Sequence, residues 1–358
     1  MAGIFGTKGV WSMGFDMSPT ASAVFTGGGS ASPNLGSANS ANTAYGFGFA
    51  WNLNNQFSVI NLNANLATLW LGFWVKLAAL PGTNQRMIAF YDHAGTIQCN
   101  LRVYSDGHFA FCQGSGTTLI VGTSASATGL ISANTYCHIQ VKITINNTTG
   151  EVGLVVNDTG SHTTAISATG LNTRSSTNNE VSQVEFNSVI NGNCYYDDVW
   201  MLDNSAASPL NTYLGIKQCK GEKASANSGT SGHNQWAPTN PQNDNHLNVG
   251  NAPFNSAQYN AAMTPGQYDM FPFPSLAAVS VSFVTAWVEC GLENAGAPHT
   301  VKIECDSGGT IAESASITPG VVATPTFTNE CFIVDPATSS AWTVSAAQAA
   351  ELGLKINT

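Results

Sequence analysis

Through the first two hundred positions apolar and polar residues alternate with the two-residue period of a strand, and the longer period of a helix is nearly missing. In Leu69 to Leu77 (LWLGFWVKL), the side chains of Leu69, Leu71, Phe73, Val75 and Leu77 share one face, leaving Trp70, Trp74 and Lys76 on the other. From Tyr136 to Ile145 the apolar face is Cys137, Ile139, Val141, Ile143 and Ile145, opposite His138, Gln140, Lys142 and Thr144. That pattern predicts a half-buried strand of an antiparallel sheet. A turn through Asn146 to Gly150 leads into a partner strand with Val152, Leu154 and Val156 inward, and further strands are expected at Glu180 to Val189 and Cys194 to Asp203.

Two runs, Gln98 to Tyr104 and His108 to Gln113, flank Asp106-Gly107, a dipeptide favoured in two-residue hairpin turns. That register sets Leu101 opposite Cys112 and Val103 opposite Ala110, with Cys99 diagonal to Cys112 on one face. Diagonal neighbours lie roughly 7–8 Å apart at Cα, at or beyond the reach of a disulfide. Three tracts of small polar residues, Thr26 to Thr43, Gly114 to Asn134 and Ala224 to Asn234, read as long loops or as segments ordered by a partner. A second β-rich unit follows, with a bend at Phe271 to Pro274 (FPFP) and strands at Val279 to Cys290 and Thr300 to Cys305. Ser345 to Leu352 reads as a short helix capped by Ser345 and stopped by Gly353.

Many short strands and one short helix define an all-β chain: a jelly-roll-like sandwich, then a smaller β-sandwich with a short C-terminal helix. The expected division is an N-terminal strand and flexible arm at 1–45, the jelly roll at 46–212, a linker at 213–234 and the second sandwich at 235–358. Composition narrows the function classes. Only 9% of the 358 residues are charged, and 21 acidic against 11 basic residues give a net charge of −10. A phosphate-tracking groove needs Lys and Arg, so nucleic acid is not an expected partner. No stretch approaches the roughly 20 apolar residues of a membrane-spanning helix. The opening MAGIFGTKGVWSMGFDMS lacks the basic and apolar regions of a secretory signal, which predicts synthesis in a cytoplasm without Sec export.

The strand from Tyr136, the turn NNTTGE (Asn146 to Glu151), the strand after it and the closing YYDDVWMLD (Tyr195 to Asp203) resemble, in their order, concanavalin A-like and laminin-G-like jelly rolls of bacteriophage structural proteins. Gln235-Trp236 and DPATSSAWT (Asp335 to Thr343) are similar to the C-terminal regions of those proteins. Cys137 departs from the larger, often aromatic residue expected at its position. The resemblance implies a non-enzymatic virion component made in the host cytoplasm, a capsid decoration protein or a head- or tail-associated fibre subunit. It would bind the major capsid protein or tail subunits and further copies of itself. The alternative is a carbohydrate-binding module that recognises host surface glycans.

Candidate chemistry is sparse. Trp70 and Trp74, on one strand face, could stack sugar rings, although large aromatics more often pack as core. Asp197 and Asp198, with Asp16 if the first and last strands adjoin, offer oxygens for calcium, which needs six to eight of them; hydrogen bonds to turn backbone are the plainer role. No other cofactor is expected. A glycoside hydrolase requires two carboxylates across a cleft. The nearest pattern, Glu304-Cys305-Asp306, lacks a second Glu and falls outside the first domain. The seven His residues show no metal-binding spacing. The eight Cys residues lack a C-x-x-C and read mainly as core. Cys219, between Lys217 and Lys220, is the least core-like and the candidate for a late or intersubunit disulfide.

Overall fold

In the computed structural model of the chain the described residues are 10–13, 25–26, 51–54, 57–157, 164–189, 193–204, 211–217, 224–239, 245–249, 259–275, 278, 280–292, 299–321 and 326–358. Asp16, Cys219 and the Thr26 to Thr43 arm, Thr26 excepted, lie outside them. The chain divides into two units, Gly9–Gly221 and Glu222–Thr358.

The first unit carries β1 (Val10–Met13), β2 (Phe25–Thr26), β3 (Trp51–Asn54), β4 (Phe57–Leu66), β5 (Thr68–Leu77), β6 (Gln85–Tyr91), β7 (Ile97–Val103), β8 (Phe109–Gln113), β9 (Tyr136–Thr144), β10 (Gly150–Val156), β11 (Thr164–Leu171), β12 (Val181–Asn187) and β13 (Asn193–Asp203). They form two antiparallel sheets. One runs β1-β13-β5-β9-β10-β11, with β3 also on β13; the other runs β2-β4-β12-β6-β7-β8. Alternation decides which faces meet. Leu69, Leu71, Phe73 and Val75 pair with Ile143, Val141, Ile139 and Cys137, and all are buried. Phe73 and Tyr196 from the first sheet and Phe186 from the second meet edge-on or tilted at centroid distances of 5.2–5.6 Å, which closes the sandwich. The Tyr196 hydroxyl donates to the Asn187 carbonyl at 2.7 Å, so its polar end is satisfied inside the core.

The hairpin between β7 and β8 departs from expectation by one residue. Tyr104 N–H donates to the His108 carbonyl and Gly107 N–H to the Tyr104 carbonyl, so the loop is Ser105-Asp106-Gly107, with Gly107 at φ +76°. A three-residue loop with glycine in the left-handed position explains why an Asp-Gly dipeptide was present without a two-residue turn. The register is therefore Leu101 with Phe111 and Asn100 with Cys112. A slip of one residue exchanges faces. Cys99 lies on the face of Leu101 and Phe111, Cys112 lies on the opposite one, and both thiols are free.

The Gly114 to Asn134 tract is also ordered by its own domain rather than by a partner. Ile120 and Ser126 donate backbone N–H groups to Phe111 and Phe109, and Gly129 donates to Asp106 at 2.8 Å. Beneath it, Asn100 Nδ2 donates to the carbonyls of Gly114 (2.6 Å) and Gly116 (3.2 Å), and Arg102 Nη1 to Gly116 (3.3 Å). The polar outer face of β7 holds this strap down through backbone carbonyls. Hydrophobic periodicity cannot register such contacts.

The second unit carries β14 (Ala237–Pro238), α1 (Asn245–Val249), β15 (Asn260–Ala261), β16 (Tyr268–Pro272), β17 (Val284–Leu292), β18 (Val301–Ser307), β19 (Thr310–Glu313), β20 (Gly320–Val321), β21 (Thr326–Phe332), α2 (Val344–Ala349) and β22 (Glu351–Ile356). A four-stranded sheet, β16-β22-β18-β19, faces a three-stranded one, β20-β17-β21. Ile303, Cys305 and Leu352 meet Ala286, Phe332 and Trp342 between them. Trp342 Nε1–H donates to the Phe332 carbonyl at 2.6 Å. The expected C-terminal helix is shorter: Thr343, not Ser345, caps it, and the chain re-enters a strand at Glu351. Gly353 does not stop a helix. It sits inside β22, where a Cβ would fall 2.0 Å from the Asp269 carbonyl oxygen on β16.

Residues of the stretch expected to be a linker pack on folded parts of the chain. Tyr213 and Gly215 contact β5 and β9 of the first unit, and Ser225 N–H donates to the Pro272 carbonyl in the second.

Candidate functional site

Trp70 and Trp74 do share a face, but no open platform results. Trp70 is 6% exposed; the Tyr213 ring meets it edge-on at 4.8 Å, and Lys142 Nζ lies 4.8 Å from its centroid. Gly215 N–H donates to buried Gln140 Oε1 at 2.9 Å, so residues 211–217 form a second strap, over β5, β9 and β10. Its seat is Gly153, where a Cβ would come within 2.1 Å of the Tyr213 hydroxyl. The strap also buries Gln140, on the face expected to be solvated. Trp74, half-buried, packs against Tyr136 and His138 at 6.4 and 5.1 Å.

Asp197 and Asp198 sit at a β-bulge. Asp197 is opposite Trp74, the next register pair is Trp200 with Gly72, and Asp198 takes φ +48°. Both are 4% exposed. Asp198 N–H donates to Asp197 Oδ1 at 2.9 Å, so one carboxylate stabilises the bulged backbone. Burial, reinforced by the charge of Asp197, pushes the Tyr136 hydroxyl well above its ordinary range. Among the described residues no third His, Cys, Asp or Glu joins these two in a cation-sized cluster, and Asp16 lies outside them.

A cluster of that size does form in the second unit, from His233, Asp306 and Glu351, one ligand atom of each lying within 4.8 Å of the others. Asp306 and Glu351 are direct register partners on β18 and β22. Asp306 precedes the turn Ser307-Gly308-Gly309, whose glycines take φ +58° and +85°, and Gly309 N–H donates to Asp306 Oδ1 at 2.8 Å. His233 projects from a turn closed by its N–H on the Thr230 carbonyl, while Met270 N–H donates to the His233 carbonyl at 2.8 Å. Its ring stacks on Tyr268 at 5.9 Å. Nδ1 is 2.8 Å from Glu351 Oε2, Nε2 is 3.7 Å from Asp306 Oδ2, and the Ser228 hydroxyl donates to Glu351 at 2.6–2.7 Å.

Sequence reasoning missed this cluster. Its members are far apart along the chain, and Glu351 falls in the stretch whose composition reads as a helix. Only the strand pairing of Asp306 with Glu351 brings them together. Glu304, from the same three-residue pattern, is buried beside Lys355 Nζ at 3.5 Å and has no place in the cluster.

No protein-family model and no curated protein matches the chain. Solved structures similar in part include a Bacillus subtilis protein of unknown function with a galectin-like fold, 12% identical over 52% of this chain and 93% of that one, TM-score 0.33. Sheep galectin-11 in complex with glycerol is 12% identical over 42% of this chain and 98% of that one, TM-score 0.26. Trypanosoma rangeli sialidase in complex with the inhibitor DANA is 12% identical over 43% of this chain, TM-score 0.28, and the match spans 24% of the sialidase. The assignment as an all-β protein of paired antiparallel sheets rests on the strand order and register above.

Proposed function

We propose that this chain is a non-enzymatic structural protein of a bacteriophage virion, either a capsid decoration protein or a subunit of a head- or tail-associated fibre. It would attach to coat or tail proteins and to further copies of itself. The observation that carries the non-catalytic part is the covering of part of each outer sheet face of the first unit by straps of its own chain, residues 114–131 over β7 and β8 and residues 211–217 over β5, β9 and β10. At Asn100 and Arg102 the sheet surface is taken up by backbone carbonyls, and at Trp70 by Tyr213. The virion part is supported by the order of the strand, turn and YYDDVWMLD motifs and by a composition that relies on Ser, Thr, Asn and Gly rather than charge.

Native particles that co-purify with the chain, imaged by cryo-electron microscopy, test the assignment. Density on the capsid lattice is expected for a decoration protein, and density at a vertex or tail for a fibre subunit. Absence of the chain from purified particles would overturn the reading. A saturable glycan-array signal lost in Trp74→Ala would replace it with a carbohydrate-binding module.

A further inference from the structure

We infer that His233, Asp306 and Glu351 build a binding site for one divalent transition-metal ion of zinc type, independent of the virion assignment. A carboxylate only accepts hydrogen bonds, so Glu351 Oε2, 2.8 Å from Nδ1, places a ring proton on that nitrogen. In the neutral imidazole the lone pair then lies on Nε2, which faces Asp306 Oδ2 across 3.7 Å. Two acceptors face each other there at a separation too long for a hydrogen bond.

A cation resolves the opposition. Two ligands held about 2.0–2.2 Å from one zinc ion stand roughly 3.3–3.6 Å apart at the tetrahedral angle. The outer carboxylate fits as well, since a metal-bound histidine almost always donates its other ring N–H to a carboxylate, carbonyl or water. Glu351 is itself held by the Ser228 hydroxyl, and Asp306 by Gly309 N–H, so both acids are fixed before an ion arrives. An imidazole ligand favours zinc-type ions over calcium or magnesium, which take oxygen ligands. Asp306 and the Glu351–His233 pair arrive from β18, β22 and the 230–234 turn, and solvent supplies the remaining positions.

Chelator-treated full-length Cys219→Ser protein, in which that thiol contributes no ligand, is titrated with zinc chloride by calorimetry and equilibrium dialysis. One ion per chain is expected, with no calcium binding at equal concentration. His233→Ala and Asp306→Asn should each weaken binding at least tenfold, and Glu351→Gln by about 10–100-fold. Histidine 15N resonances of the unsubstituted ring give a readout independent of whether any ligand variant folds: zinc should shift Nε2 while Nδ1 remains protonated. A His233 ring protonated on both nitrogens and unmoved by zinc would make the cluster a structural ion pair and overturn the site. Stoichiometric binding unaffected by both ligand variants would overturn it equally.

Discussion

At the scale of single residues, glycines and buried carboxylates decide more than charge does. Gly72 lies under Trp200, and a Cβ there would sit 2.1 Å from the indole Cε2. Gly72→Ala is expected to lower stability by about 1–3 kcal/mol, the usual cost of overpacking. Gly82→Ala, with nothing within 4 Å, should leave it unchanged, and urea denaturation of the two variants compares them directly. Asp92 gathers the Ala94 and Thr96 N–H groups, Gln98 Nε2, the Ser176 hydroxyl and Asn178 Nδ2. Burial works to raise its proton affinity, but these donors outweigh it and hold the carboxyl below the ordinary range.

Asp269 is the opposite case. Burial pushes it up to about 6, only partly offset by donors from Asn245 and Asn260 at 2.8 and 2.7 Å. The folded state therefore holds this proton more tightly than the unfolded chain. The associated stability is full below about pH 4 and is lost as pH rises through about 6. With each tenfold change in proton affinity worth about 1.4 kcal/mol, up to ~3 kcal/mol is involved. Carboxyl NMR should place the Asp269 midpoint near 6, and a midpoint near 4 would contradict the burial argument.

Among the elements, the core faces of β5, β9 and β10 were legible because an apolar residue at every second position has one physical meaning. The outer faces were not legible. His138 and Gln140 are as buried as the core, yet Gln140 is covered by a segment 75 residues away that shows no strand alternation of its own. The hairpin register failed for a related reason: Asp-Gly suits both a two-residue and a three-residue loop, and only the backbone hydrogen bonds separate them. The metal-sized cluster depended on a strand that resembled a helix through its Ala-rich approach. Removing one strap contact should expose what lies beneath. Tyr213→Ala is expected to cost about 2 kcal/mol and to increase acrylamide quenching of tryptophan fluorescence, with no such increase in a Trp70→Phe background.

For the whole molecule, sparse charge implies that burial and hydrogen bonding rather than ion pairs hold the fold. Raising salt from about 0.05 to about 0.5 M screens exposed pairs but not buried ones, so the thermal midpoint should move by no more than about 2 °C. The thiols follow the same logic. Cys99, Cys112, Cys137, Cys194, Cys290, Cys305 and Cys331 are buried, and burial pushes the proton affinity of Cys99, Cys137, Cys194, Cys290 and Cys305 far up. Alkylation of the native protein followed by peptide mass spectrometry should leave all seven unlabelled, whereas denatured protein should label at every one.

The strand order also sets a timetable for synthesis. The strand at Thr68–Leu77 lies between one partner at Tyr136–Thr144 and another at Asn193–Asp203. A ribosome adding roughly 5–20 residues per second needs roughly 6–23 s to travel from residue 78 to residue 193. Throughout that interval at least one hydrogen-bonding edge of this largely apolar strand is bare, in a nascent chain with few charges to keep it from its neighbours. Slower elongation would lengthen that exposure, so yield in a recombinant host should depend on translation speed and chaperone supply more than on the stability of the finished fold.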